Sequence, residues 1–416
     1  MTHLMLKDEL LDAQLLRVVG VAAHGGSDVG ECLETAKRIS GTDLDSWYEQ
    51  WLATADAASA LGEREAASGH REAAQRAYLR ASSYYRTAGV MLMGIPLDPR
   101  LVESNTRQTE TFRLAGALMA RPPEVLEIPF EDVTLPGYFF AATDNGAARA
   151  TVILTGGYDG TCEELYFSNG AAALARGYNV LAFDGPGQGG ALLQRGLKLR
   201  PDWENVITPV LDFALARSDV DGKRVALIGL SLGAYLAPRA ASEEHRLAAC
   251  IADCGAYDLY AAFLARLPGP LAGGVRSGRG WATTVLRRVV GSLITKPTAG
   301  WALRRGQLVH GIDDPLILLE AMRDYTLVGR AEQITCPTWV CNAEGDDISA
   351  SAPELVAALA CEKHYVNFTA AEGAGDHCEV GARELYHARS FGWLDDRLHP
   401  ERSRDPRSLR RIRPRQ

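Results

Sequence analysis

No apolar run in the 416 residues is long enough to cross a membrane, and the N-terminus, MTHLMLKDELLDAQLLRVVGVAAHGG, carries acidic residues early and no secretory h-region. A soluble, cytoplasmic protein is therefore expected. Closely paired cysteines are also lacking. The eight present form no CxxC, and Cys250 and Cys341 lie inside apolar strand-like runs, where a free thiol behaves as a small hydrophobe. That spacing excludes a disulfide scaffold and points to a reducing compartment. An excess of positive charge is confined to one place. The last eighteen residues, HPERSRDPRSLRRIRPRQ, hold seven Arg against one Glu and one Asp, so the net −8 of the chain becomes −13 without them. An acidic body argues against a nucleic-acid surface, and the basic end, 399–416, is expected to be a disordered, solvated tail. No repeat of solenoid length is present.

What remains is an ordinary globular composition, 47% apolar and 23% charged, in a chain long enough for a large core plus an accessory domain. The first 122 residues read as helical throughout. SWYEQWLATADAASALGERE and GHREAAQRAYLRASSYYRTAGVMLM place apolar residues at helical spacing, and Pro122-Pro123 ends the region. From Glu124 the texture changes. VLEIPF and VTLPGYFFAAT read as an antiparallel pair; ATVILTGG, YNVLAFDG, RVALIGL, AACIADCG, PTWVCNAEG and KHYVNFTAAEG then alternate with helical segments. Such alternation predicts an α/β fold over 123–398, a mostly parallel sheet with helices on both faces. About 259–334 the rhythm breaks into a helical insertion, placed at the carboxyl edge of the sheet, where ligands bind.

Gly229-Leu230-Ser231-Leu232-Gly233 stands between a buried strand and an Ala/Leu-rich helix. This is G-x-S-x-G in strand–turn–helix context, which makes Ser231 the expected nucleophile, exposed on a strained turn with glycines where neighbouring chain passes close. A serine needs a base, and the order in this motif's fold is Ser, acid, His. Position selects His377, in the loop after the last strand. His245, His310, His364 and His387 precede a strand, sit in the insertion, begin a strand at its far end, or fall within the final helix. The loop EGDDIS after PTWVCNA should supply the acid: Asp346 is expected, with Ile348 packed beneath it, and Asp347 and Glu344 are expected to be solvated. Backbone N–H groups of Leu232 and of Tyr158 or Gly157, in LTGGYDGTCEE, are the expected oxyanion donors. On the helix carrying adjacent Tyr84 and Tyr85 the two side chains point about 100° apart, so one of them is a candidate for substrate contact. GPGQGG, Gly185 to Gly190, fits a dinucleotide fingerprint by letters, but no second strand ending in an acid follows it, and it reads as a tight turn beside the active site.

These segments together resemble the α/β-hydrolases with a helical N-terminal cap, a group that includes 2,6-dihydroxypseudooxynicotine hydrolase, FrsA-like proteins and fungal polyketide-shortening hydrolases. GGYDGTCEE, FDGPGQGG, GLSLGAYLAPRA and GAGDHCEVGARELYHARSFGWLDD carry the likeness, with the cap helices. The resemblance implies a Ser231–Asp346–His377 triad, a site enclosed by the N-terminal helices and the insertion, and a possible homodimer. The group cleaves C–C, ester and amide bonds. A C–C hydrolase in it is thought to use a further carboxylate in the stretch that here reads AYDLYAAFLARLP. Asp258 is the acid there, and it reads as a cap or anchor for the segment. Hydrolysis of an acyl bond in a small, fairly apolar metabolite, without metal or cofactor, is the leading expectation; lyase, cyclase or acyltransferase chemistry at the same site is the alternative.

Overall fold

The computed structural model describes residues 2–399. The basic tail expected after His399 lies outside the described residues. Before the sheet come α1 (Glu9–Gly20), α2 (Val29–Arg38), α3 (Leu44–Ala67), α4 (Arg71–Val90) and α5 (Pro99–Ala117). Asp8, Asp28, Asp43 and Asp98 cap α1, α2, α3 and α5, each carboxylate accepting first-turn N–H groups, and Pro99 opens α5 where no N–H is needed.

The sheet contains β1 (Glu124–Phe130), β2 (Val133–Phe140), β3 (Arg149–Thr155), β4 (Asn179–Phe183), β5 (Val220–Leu230), β6 (Ala249–Asp253), β7 (Thr338–Ala343) and β8 (Lys363–Phe368). Their spatial order is β1-β2-β4-β3-β5-β6-β7-β8. The β1–β2 and β2–β4 pairings are antiparallel and the rest parallel. Strands β4 and β6 are buried at every position, as continuous apolar runs covered on both faces must be. The chain leaves β3 toward β4 on one side and returns through β5 on the other. The crevice between the carboxyl ends of β3 and β5 is thus the point where strand order reverses, the place such sheets offer to ligands.

The N-terminal helices share a core with the sheet. Phe112 of α5 packs on Tyr138 at 5.0 Å between ring centroids and also meets Phe140, Tyr166 and Phe167. The insertion between β6 and β7 is helical, its longest pieces being Gly280–Ile294 and Trp301–His310. Trp301 Nε1 donates to Val90 O at 2.9 Å, joining the insertion to α4. The first described residues also meet the histidine loop and the last described helix. Thr2 N donates to both oxygens of Asp376, at 3.0 and 3.1 Å, and the His24 and His387 rings lie 5.5 Å apart. Among the described residues no helix is long and apolar enough to cross a membrane.

Candidate active site

Strand β5 ends at Leu230, and Ser231 turns the chain into the helix Gly233–Ala241 with φ of +62°, a left-handed conformation rare for a residue with a side chain. Both flanking glycines are required by space. A Cβ on Gly229 would stand 1.9 Å from Gly233 O, and one on Gly233 would stand 2.5 Å from Thr155 O. The serine is thereby pushed out over the carboxyl ends of the strands. Its Oγ lies 2.8 Å from His377 Nε2, and His377 Nδ1 lies 2.8 Å from Asp346 Oδ2. The three side chains expected from sequence are therefore brought into one line of contact.

Asp346 is almost fully buried, yet its carboxyl is held down to about 2. Burial alone would raise it; the His377 imidazole, with the Ile348 and Ser349 hydrogen bonds, outweighs burial. For His377 burial acts downward, and the neighbouring Cys378 and Asp346 groups outweigh it, raising the imidazole above its ordinary value. One detail differs from the sequence expectation. Ile348 does not pack beneath Asp346: it is 36% exposed, and it acts through its backbone N–H, which donates to Asp346 Oδ1 at 3.0 Å. A short helical turn begins at Ser349 and turns the side chain of residue 348 outward. Asp347 and Glu344 are exposed.

The histidine loop is anchored from below. Cys378 and Glu379, directly after His377, both have positive φ, and Arg383 Nη1 holds this strained segment by donating to Cys378 O at 2.9 Å and Asp253 Oδ2 at 2.7 Å. Ser231 N donates to Asp253 O at 3.1 Å, so one residue at the end of β6 braces both loops. Glu379 is fully buried beside Asp253; burial and that neighbouring carboxylate push its carboxyl up. Cys254 and Cys378 bring two thiols within 4.8 Å of a His377 ring nitrogen, a soft donor set in kind, although both ring nitrogens are already engaged.

Across the crevice, the loop after β3 meets the serine. A Cβ on Gly157 would fall 2.8 Å from Ser231 Cβ and 3.1 Å from Leu232 N, so the Gly157 backbone passes directly against the serine and the Leu232 amide. The GPGQGG turn lies behind this loop: Gln188 Nε2 donates to Gly156 O at 2.7 Å. The Tyr158 hydroxyl lies 2.8 Å from His310 Nε2, while Tyr325 lies 3.3 Å from Nδ1 of the same ring. Burial pushes His310 down to about 4, so this imidazole is neutral. Tyr84 and Tyr85 diverge on α4. The Tyr84 hydroxyl donates to Glu31 at 2.6 Å and accepts from Asp28 N, whereas Tyr85 donates to Asp56 at 2.7 Å and borders a cavity of about 40 Å³ that Tyr158, Gln108, Met93 and Leu101 also line. Asp258 caps the helix Leu259–Ala265 and accepts from Thr326. Sequence reasoning did not single out Asp159, Asp253, Cys254, Cys378, Glu379 or Arg383. Asp159 lies inside LTGGYDGTCEE, whose sequence signal is carried by the glycines and Tyr158.

Residues 151–388 match the Alpha/beta hydrolase family. The chain is 37% identical over 411 residues to a 20-hydroxy-prefusarin hydrolase, FUS2, of Gibberella moniliformis (strain M3125 / FGSC 7600), covering 94% of this chain and 97% of that one. It is 34% identical over 422 residues to hydrolase acrC of Aspergillus aculeatus (strain ATCC 16872 / CBS 172.66 / WB 5094), covering 94% and 96%. Among solved structures it is similar to 2,6-dihydroxy-pseudo-oxynicotine hydrolase, with a TM-score of 0.74 at 22% identity over 92% of this chain and 96% of that one, a likeness of fold.

Proposed function

The chain belongs to the alpha/beta hydrolase family, and from that membership we propose that it is a serine hydrolase cleaving an acyl bond in a small, fairly apolar metabolite. The line Asp346–His377–Ser231, two contacts of 2.8 Å ending on a serine with φ of +62°, carries the reading. In this mechanism His377 Nε2 takes the Ser231 proton as Oγ attacks the carbonyl carbon. Negative charge gathers on the carbonyl oxygen, facing the N–H of Leu232 and of Gly157 or Tyr158. The tetrahedral adduct collapses, and the leaving group departs with the proton held by His377. Water, deprotonated by the same imidazole, then releases the acid and restores Ser231. Asp346 keeps Nδ1 protonated and opposes the positive charge that forms on the ring. Each step uses only the chain and water.

The relatives' names support the substrate class. Relatives that align over nearly the whole chain are named as hydrolases, one of them of 20-hydroxy-prefusarin, which supports a secondary metabolite as substrate. Reaction with a fluorophosphonate should label Ser231, and Ser231→Ala should abolish labelling. Turnover in ¹⁸O-water should place one labelled oxygen in the released acid. An unlabelled acid with an unsaturated co-product would replace the hydrolase by a lyase on the same site.

A further inference from the structure

Residues 156–161 run from β3 into the oxyanion side of the crevice without helix or strand of their own. Ladder hydrogen bonds therefore do not fix them, and side chains from elsewhere must. Asp159, two residues after Gly157, is where those side chains meet. Its Oδ1 lies 3.1 Å from Arg17 Nη1 of α1 and 3.6 Å from Arg86 Nη2 of α4. Its Oδ2 lies 3.0 Å from Arg305 Nη1, in the insertion helix Trp301–His310. Arg86 Nη2 also donates to the Asp159 carbonyl at 3.1 Å. The Asp159 and Arg86 side chains are only 8% and 7% exposed, so solvent screens these pairs weakly.

Building on the nucleophile reading above, we propose that Asp159 is a positioning residue that ties the oxyanion loop to the N-terminal helices and to the insertion at once. The carboxylate is a crossing point for three elements far apart along the chain: α1, α4 and the insertion helix Trp301–His310. Around it three guanidinium groups face two carboxylates, since Glu164 takes Arg17 in a bidentate pair at 2.7 and 2.6 Å. Arg305 is further fixed between the rings of Trp301 and Tyr158, 4.3 and 5.1 Å from their centroids. The neighbouring loop residues have tethers from the same two directions: Tyr158 to His310 of the insertion, and Thr161 to Gln108 of α5 at 2.6 Å. The placing of the Gly157 and Tyr158 N–H groups thus depends on both helical segments being docked. The burial cost of Asp159 is offset by its arginines, which hold its carboxyl well below the usual carboxylate range.

The test compares Asp159→Asn, Arg305→Gln and the double variant in the full chain, using melting temperature, the rate of Ser231 labelling by a small fluorophosphonate, and kcat and KM for p-nitrophenyl acetate. Removing one oxyanion donor outright costs about 10²–10³ in kcat. A loop displaced in Asp159→Asn should lose up to roughly 10²-fold in labelling rate and kcat, with KM within about threefold. Arg305→Gln leaves two guanidiniums facing two carboxylates, so it should stay folded and lose roughly tenfold in the same two rates. Adding Arg305→Gln to Asp159→Asn should cost little more, because both act through one contact. Wild-type rates in folded Arg305→Gln, a loss confined to KM, or losses that simply multiply would each overturn the tie. Should Asp159→Asn fail to fold, Arg305→Gln and Arg17→Gln decide alone, and wild-type labelling in either folded variant refutes it. Labelling that survives Ser231→Ala would be a different failure, that of the nucleophile reading itself.

Discussion

Replacing Asp346 by Asn tests the site at its least exposed point. The carboxylate oxygen 2.8 Å from His377 Nδ1 can only accept, so Nδ1 is protonated and Nε2 is free to take the serine proton. An Asn amide placed by the same backbone can present its NH₂ to Nδ1, which stabilises the opposite tautomer and leaves Nε2 protonated. In a serine-protease precedent that reversal costs about 10⁴ in kcat, equivalent to roughly 5.5 kcal/mol of transition-state stabilisation. The pH dependence gives an independent reading. Since the Asp346 carboxylate and the Cys378 group draw the His377 pKa above 6.5, the base is protonated at low pH, and activity should rise with pH through a value above 6.5. In Asp346→Asn one of the two stabilising charges is gone, so the rising limb should move to lower pH while the plateau falls. Pre-steady-state ester hydrolysis from pH 5 to 9 measures both. Asp347, exposed beside it, should tolerate Asn within about threefold, as surface substitutions do. A loss below tenfold in Asp346→Asn, or a larger one in Asp347→Asn, would refute the assignment of the acid.

Two other perturbations bear on different parts of the molecule. Gly229→Ala or Gly233→Ala would force a Cβ against the carbonyls of Gly233 or Thr155, neither of which can rotate away; a destabilisation of about 3 kcal/mol or more is expected in urea melts, and a change below 0.5 kcal/mol would show that the turn relaxes. Removing residues 1–120 takes away Phe112, Arg17 and Arg86 together, so the remainder should bind a hydrophobic dye and lose turnover, whereas a soluble truncation with unchanged substrate selectivity would show that the helices are a detachable module.

The inner strands β3, β4, β6 and β7 are legible because each is a short, largely apolar run, and a parallel sheet covered on both faces leaves little else for such runs to be; the edge strand β8 is mostly exposed, and β5 begins at Val220, before the apolar run RVALIGL. Ser231 was legible for a different reason: its turn is so crowded that two glycines and a small nucleophile are written into five consecutive residues. His377 and Asp346 could be found only by order along the chain. Ile348 shows the limit of that method, since the residue two after the acid does support it, but with a backbone N–H where a packed side chain was expected. Asp159 had no local signal. Its partners lie 142, 73 and 146 residues away, and an Asp between Tyr158 and Gly160 reads the same whether it faces solvent or three guanidiniums. Likewise, helical geometry says that Tyr84 and Tyr85 must diverge, but only the packing of α2 and α3 around α4 decides which of them borders the cavity.

The packing of the first helices against the histidine loop and the last described helix has a consequence for how the protein is made. The helices α1–α5 are synthesised first, yet Thr2 awaits Asp376, His24 awaits His387, and Phe112 awaits Phe167. At about 5–20 residues per second, the ribosome needs roughly 13–50 s to travel from the end of α5 to the last of these partners. Through that interval the nascent helices hold an apolar face with nothing yet synthesised to cover the part that the final loop and helix will occupy. Elongation pauses, chaperone supply and growth temperature should therefore govern the yield of active protein more strongly than they would for a chain whose first hundred residues close on themselves.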